Sequence, residues 1–396
     1  MLKKALRFVF VAAILLVLVG GTCAPPGGYR TTGRAPAMRG SGSGEEVSSL
    51  VRITSRKSHE CSPDISPCGE FLAIESWESG DNFGRPGDYD IWVIGASGGG
   101  GFQRVTNSPE DDYYPAWYPD GKRVLFSSNR SGYPNIWAKA ASGLSGTQKI
   151  SWTGTSDIAG DVSHDGKYIV FTRADGIFPR GEEIISRGYF DGCVGSACRG
   201  GDRTRIYRMD ANGARVTELG MGMDPQISPK GDKIVYSSAR TGNFDIWIMD
   251  TDGRNQVQLT SNPVDEIEPC WSPDGKWIAY AKRGPACRGN NCGPNSGSWN
   301  IWVLNLDTGE KFQKTFSAES RDLSPCWGYV REGGIMRDYI YFQSDRDDFQ
   351  TTGFDIYRLD PGLGIEENDI PDIASGQRGI GSGSNAGSAK IQVLNS

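Results

Sequence analysis

At 396 residues the chain is long enough to bury a large core, and its 54 Gly, 21 Pro, 15 Phe, 15 Tyr and 11 Trp suit many short strands and turns better than long helices. The formal net charge is −6, and it falls to about −9 once Lys3, Lys4 and Arg7 are lost with the leader described next. A chain this acidic lacks the basic face that phosphate binding needs, which excludes nucleic acid as a partner.

Lys3, Lys4 and Arg7 precede an unbroken apolar run from Phe8 to Val19 that is too short to span a bilayer, so residues 1–22 read as an export signal. Cys23, followed by Ala24, Pro25 and Pro26, stands where a bacterial lipoprotein carries its lipidated cysteine. Gly20 and Thr22 fit that signal poorly, so lipidation and an ordinary signal-peptidase cut both stay open. Residues 23–50 read as a flexible linker, with Pro, Gly, Ser and Arg dominating 24–48.

From residue 51 a thirteen-residue phrase recurs. Glu268 to Tyr280 reads EPCWSPDGKWIAY, and Ser62 to Ile74, Tyr114 to Phe126, Ala159 to Phe171 and Asp224 to Tyr236 repeat its apolar and turn residues in register. A sixth copy opens at Ser324 and resumes after a longer turn at Tyr339. In the Pro-Asp-Gly-Lys centre, Pro suits the second position of a type I turn and Gly supplies the positive φ that closes a bulged hairpin. After each hairpin comes a third run marked by Ile and an aromatic (Ile91 and Trp92, Ile246 and Trp247), then a polar turn and a fourth run ending in Thr or Ser. Four antiparallel strands repeated six times predict an all-β fold, a six-bladed β-propeller over 51–360. Residues 361–396 are left as a Gly/Ser-rich tail.

Thr106, Ser151 and Thr260 each precede the Pro position of the next phrase by nine residues, and so does Thr54. Val51 to Thr54 is therefore a fourth strand with no first three, while the sixth repeat has three strands and no fourth. The amino-terminal strand is expected to close the ring, with Ile391 to Leu394 as a competitor for the slot.

Eight cysteines follow Cys23, and local spacing suggests the bridges Cys61–Cys68, Cys193–Cys198 and Cys287–Cys292. Cys270 and Cys326 occupy equivalent places in consecutive repeats, so a bridge between neighbouring inner strands is expected. Four disulfides imply an oxidising compartment. Free thiols or zinc are the other reading, weakened by the presence of only His59 and His164 and no CxxC pair.

The combination of PAW or PCW, SPDGK, IAY or VLF with SS and R, then DIW and MDTDG resembles the repeat of the TolB-like propeller family, related to WD-type repeats, and covers about 51–360. No counterpart of the amino-terminal α/β domain of TolB is read ahead of Val51, so the resemblance implies the repeat and not a role in a Tol system. The phrase is also used by propellers that accompany peptidases.

Three residues before each Pro position stand Glu60, Asp112, Asp157, Gly222, Glu266 and Asp322. Five carboxylates approaching the axis would line a funnel that attracts calcium or a basic peptide; alternatively each caps its own blade-to-blade turn. The resemblance favours the funnel, because TolB-like propellers receive partner segments there. The long insertions, 174–204 in blade three and 282–299 in blade five, are expected on the same face. No GxSxG, HExxH or phosphate loop occurs, and His164 merely replaces the Pro of one turn, so neither a catalytic residue nor a required cofactor is expected. The reading is an exported, periplasmic or cell-envelope binding module for an envelope protein, peptide or glycan, touching the membrane only through a lipid at Cys23. A carbohydrate-processing propeller with a carboxylate pair is the rival.

Overall fold

A computed structural model describes residues 50–56, 58–77, 88–98, 101–174, 204–286, 297–332, 335–347 and 353–362. Among them are 24 strands in six four-stranded antiparallel sheets. Blade 1 is β2 (His59–Ile65), β3 (Phe71–Trp77), β4 (Tyr89–Gly95) and β5 (Gln103–Arg104); blade 2 is β6 (Asp112–Trp117), β7 (Arg123–Ser128), β8 (Asn135–Ala140) and β9 (Gln148–Lys149). Blade 3 is β10 (Ser156–Val162), β11 (Tyr168–Ala174), β12 (Thr204–Asp210) and β13 (Thr217–Met221); blade 4 is β14 (Met223–Ile227), β15 (Lys233–Ser238), β16 (Asp245–Asp250) and β17 (Val257–Gln258). Blade 5 is β18 (Glu266–Trp271), β19 (Trp277–Ala286), β20 (Gly297–Asn305) and β21 (Lys311–Gln313). Blade 6 is β22 (Asp322–Glu332), β23 (Ile335–Ser344), β24 (Asp355–Leu359) and, from the amino terminus, β1 (Val51–Arg52).

The core lies between blades because the strands alternate. On β3, Leu72 and Ile74 pack with Val330, Tyr341 and Ile356 of blade 6, while Ala73 packs with Trp117, Val124 and Phe126 of blade 2. The turn between first and second strands forms as the phrase predicts: Gly275 has φ 71° and donates its N–H to Ser272 O at 2.9 Å.

Closure by the amino-terminal strand is present. β1 pairs antiparallel with β24, Val51 opposite Arg358 and Arg52 opposite Tyr357. The side chains reproduce an ordinary blade. Thr106 Oγ1 donates to Asp90 Oδ1 and Arg104 pairs with Asp90 within blade 1; across the seam Thr54 Oγ1 donates to Asp355 Oδ1 at 3.1 Å and Arg52 pairs with Asp355. The Arg-x-Thr run thus binds its strand-three Asp whether or not the two belong to one stretch of chain. In blade 6 the expected longer turn is instead a continued hairpin, paired as far as Glu332 opposite Ile335. It rests on blade 1, where a Cβ at Gly69 would lie 2.1 Å from Tyr329 O.

Two expected bridges are not formed, since Cys61, Cys270 and Cys326 are free thiols. Side chains at equivalent repeat positions are related by the rotation of the ring, so Cys270 and Cys326 point the same way around it and not at each other. Cys326 Sγ accepts from Ile65 N of blade 1 at 3.2 Å, and Cys270 packs against blade 6 beside Leu323 and Trp327. Residues 1–49, with the signal, Cys23 and most of the linker, lie outside the described residues, as do 363–396 and Ile391 to Leu394 with them. The same holds for 175–203, with Cys193 and Cys198, and for 287–296, with Cys287 and Cys292.

Candidate functional site: an acid-lined pocket on the ring axis

Each innermost strand breaks register at the Pro position, for example between Tyr113 and Ala116 and between Ile267 and Cys270. The residue before each Pro adopts a left-handed backbone: Ser62 (φ 47°), Tyr114 (51°), Asp224 (52°), Glu268 (53°) and Ser324 (51°). Non-glycine residues rarely do so, and the bulge turns this segment out of the blade towards the axis. In blade 3 Gly160 replaces Pro, and a Cβ there would stand 2.7 Å from Val170 O and 3.0 Å from Pro225.

The bulged segments of all six blades line one pocket of about 100 Å³. Four of its lining residues are acids: Asp64, Asp161, Asp224 and Glu268. Three are spent on the next blade. Trp117 N donates to Asp64 Oδ2 at 2.7 Å, Ile227 N to Asp161 Oδ2 at 2.9 Å, and Ser324 N to Glu268 Oε2 at 2.7 Å, so the acids of blades 1, 3 and 5 staple blades 2, 4 and 6. Asp224 differs, for its buried Oδ2 has no hydrogen-bond partner. Burial raises Asp64 and Glu268 to about 7, raises Asp161, and raises Asp224 well above the ordinary carboxylate range. Glu75, behind the pocket and bonded to Ser62 Oγ, is also raised by burial to about 7. No cation forms a salt bridge with any of these five acids among the described residues, and no three His, Cys, Asp or Glu side chains there stand where they could share a metal ion.

The five acids expected in the funnel are elsewhere. Glu60, Asp112, Asp157, Glu266 and Asp322 are fully buried, and none lines the pocket. Four turn into their own blade and meet a cation: Asp112 with Arg130 (2.6 Å), Asp157 with Arg173 (2.7 Å), Glu266 with Lys282 (3.0 Å) and Asp322 with Arg346 (2.7 Å). Each cation also lies over blade aromatics, as Arg130 does over Phe126 and Trp137 and Arg346 over Phe342 and Tyr357. In blade 4 a Cβ at Gly222 would lie 2.6 Å from the Tyr236 ring, so no acid fits, and Arg240 bonds Met221 O and Gln256 instead. The turn-capping alternative is also incomplete, because the main partners are side chains of the second strand or just beyond it. Sequence reasoning looked three residues before Pro, whereas the axial acids stand immediately before it (Asp224, Glu268) or after its position (Asp64, Asp161). An acid adjoining that position in four of six phrases was the available signal.

Residues 46–186 match the family model described as the TolB beta propeller domain. Over that stretch the chain is similar to the repeats of TolB-like propellers. A TolB homolog from Chlorobaculum tepidum is 34% identical over 97 residues, which make up 24% of this chain and 19% of that protein. A Tol-Pal system protein TolB from Desulfosudis oleivorans is 25% identical over 121 residues, 31% of this chain and 24% of that protein. The chain thus spans at most a quarter of the length of these two curated relatives. Among solved structures, TolB from Acinetobacter baumannii is 20% identical with a TM-score of 0.48, covering 73% of this chain and 63% of that one. A TolB-like structure from Agrobacterium tumefaciens is 16% identical with a TM-score of 0.49, covering 68% and 89%.

Proposed function

We propose that this TolB-like propeller is an exported module of the cell envelope that binds a partner protein through its axial pocket and carries out no reaction of its own. The observation that carries the reading is the pocket's chemistry: carboxylates from four blades meet on one axis with no salt bridge to a cation among the described residues, and one oxygen of Asp224 has no hydrogen-bond partner. A Lys or Arg from a partner segment would supply the missing charge, and the buried acids would then ionise on binding. Relatives named as Tol-Pal system proteins support an envelope setting, as does the apolar leader.

The test compares the parent with the triple variant Asp64→Asn, Asp224→Asn, Glu268→Gln in pull-downs from envelope extract, with and without calcium. The expected result is a partner retained by the parent and lost by the variant, with protons released from the acids of the parent on binding. Equal capture by both proteins, or turnover of a polysaccharide by the purified parent, would reject the reading. Stabilisation by calcium in the parent alone would place the cation itself in the pocket.

A further inference from the structure

Blade 1 breaks the pattern that the other blades keep. Glu60 holds the place of Asp112, Asp157, Glu266 and Asp322, yet among the described residues no cation of its own blade forms a salt bridge with it. Ser58 Oγ and Ser76 Oγ both donate to its Oε1, and the buried Oε2 has no partner. The register explains the difference. Opposite Asp157 and Glu266 stand Arg173 and Lys282, and opposite Asp112 and Asp322 stand Ser128 and Ser344, each followed two residues later by an Arg. Opposite Glu60 stands Ser76, and two residues later the sequence has Glu78.

Glu60 also sits where the ring is closed. Its N–H donates to Phe354 O of blade 6 at 2.9 Å, and the link from Thr54 to Glu60 joins β1 to β2. The charged and titratable groups around it are Asp355 on β24, itself held by Arg52, and Arg56 in the link, whose guanidinium lies over the Trp92 and Phe102 rings. Cys61 follows it on β2, and His59 before it packs edge-on to Trp77 and Phe354.

We propose that Glu60 is a proton-binding site that controls the seam: protonated, it leaves β1 paired with β24; ionised, it loosens that pairing. An ionised carboxylate in this place would be buried beside Asp355 with no salt bridge among the described residues, Arg56 favouring it only from a distance. Relief comes most cheaply by admitting water through the link, and the strand that this link carries is as short as β5, β9 and β17, with two ladder residues, and unlike theirs both are exposed. Burial raises the Glu60 carboxyl to about 7. Because the folded value lies above the ordinary carboxylate value, the seam is most secure below about pH 4.5 and weakens as pH rises through 7.

Hydrogen exchange decides it, because blade 4 supplies an internal control. Ile53 N and Thr54 N donate to Ile356 O across the seam as Leu259 N and Thr260 N donate to Ile246 O in blade 4, which has no acid at the Glu60 position. After correction for intrinsic rates, seam protection should fall about tenfold between pH 6 and 8, the change due to one group titrating near 7 in the closed seam, while blade 4 changes less. Glu60→Gln should flatten the seam profile, and Ser76→Lys, which copies the Glu266–Lys282 pairing, should hold protection at pH 8. A seam that follows blade 4 in the parent overturns the proposal even if neither variant folds, as does a Glu60→Gln seam that still loses protection with pH.

Discussion

Two sets of buried acids share the innermost strands, only two to four residues apart, and they have opposite surroundings. Asp112, Asp157, Glu266 and Asp322 each face a cation of their own blade. Asp64, Asp161 and Glu268 accept from backbone N–H groups of the next blade, Asp64 also from Cys326 Sγ and Asp161 from Val162 N, but from no cation among the described residues, and Asp224 Oδ2 has no partner. Ion pairing fixes the first set as structure. The second keeps raised proton affinity because hydrogen bonds from amides offset only part of the cost of burying a charge. Burial of a carboxylate therefore does not by itself mark a site; what sets the axial acids apart is burial without a salt bridge.

The contrast is tested most severely at blade 6. Arg346→Ala strips Asp322 of its cation and of the charge-assisted hydrogen bond from Arg346 Nη2, and should cost about 3–5 kcal/mol in chemical denaturation, the range for an orphaned buried charge. Replacing Asp322 by Asn in the same protein should restore much of that loss. No restoration would mean that stacking of Arg346 on Phe342 and Tyr357, and not its charge, holds the blade.

The axial acids should behave in the reverse sense. Asp64, Glu75 and Glu268 are raised to about 7, so their contribution is complete below the unfolded carboxylate values near pH 4 and is lost as pH rises through 7. The parent's melting temperature should accordingly be lower at pH 8 than at pH 5.5. Glu268→Gln keeps an acceptor for Ser324 N without the charge and should gain on the order of 1 kcal/mol at pH 8 with little change at pH 5.5. A gain of equal size at both pH values would show that ionisation of Glu268 is not involved.

The smallest effect concerns the bulge that aims the second set. Ser324 holds φ 51° ahead of Pro325, and Ser324→Gly removes the Cβ that makes this conformation costly. Relief of strain and the added freedom of the unfolded chain oppose each other, leaving an expected net gain of a few tenths to about 1 kcal/mol by denaturation. A loss would mean that the Ser324 side chain contributes more than its backbone conformation costs.

What the sequence determined by itself is whatever repeats locally. The Pro-Asp-Gly-Lys turn, the alternation of Leu72, Ala73 and Ile74, and the fixed distance from Thr54 to Pro63 all depend on contacts within a hairpin or on a periodic spacing, so six blades and their closing strand could be read from residues alone. Tertiary structure decided direction. Whether an acid enters the blade or the axis depends on a left-handed residue before Pro, which breaks the two-residue alternation that the reading of Glu60, Asp112, Asp157, Glu266 and Asp322 assumed. The cations that neutralise four of them lie 16 to 24 residues further on, and which acid they meet is set by strand register. The cysteines failed for a related reason: rotation about the ring axis makes equivalent side chains point in parallel around the circle, so the likeness of Cys270 and Cys326 in the repeat is what keeps them from facing each other.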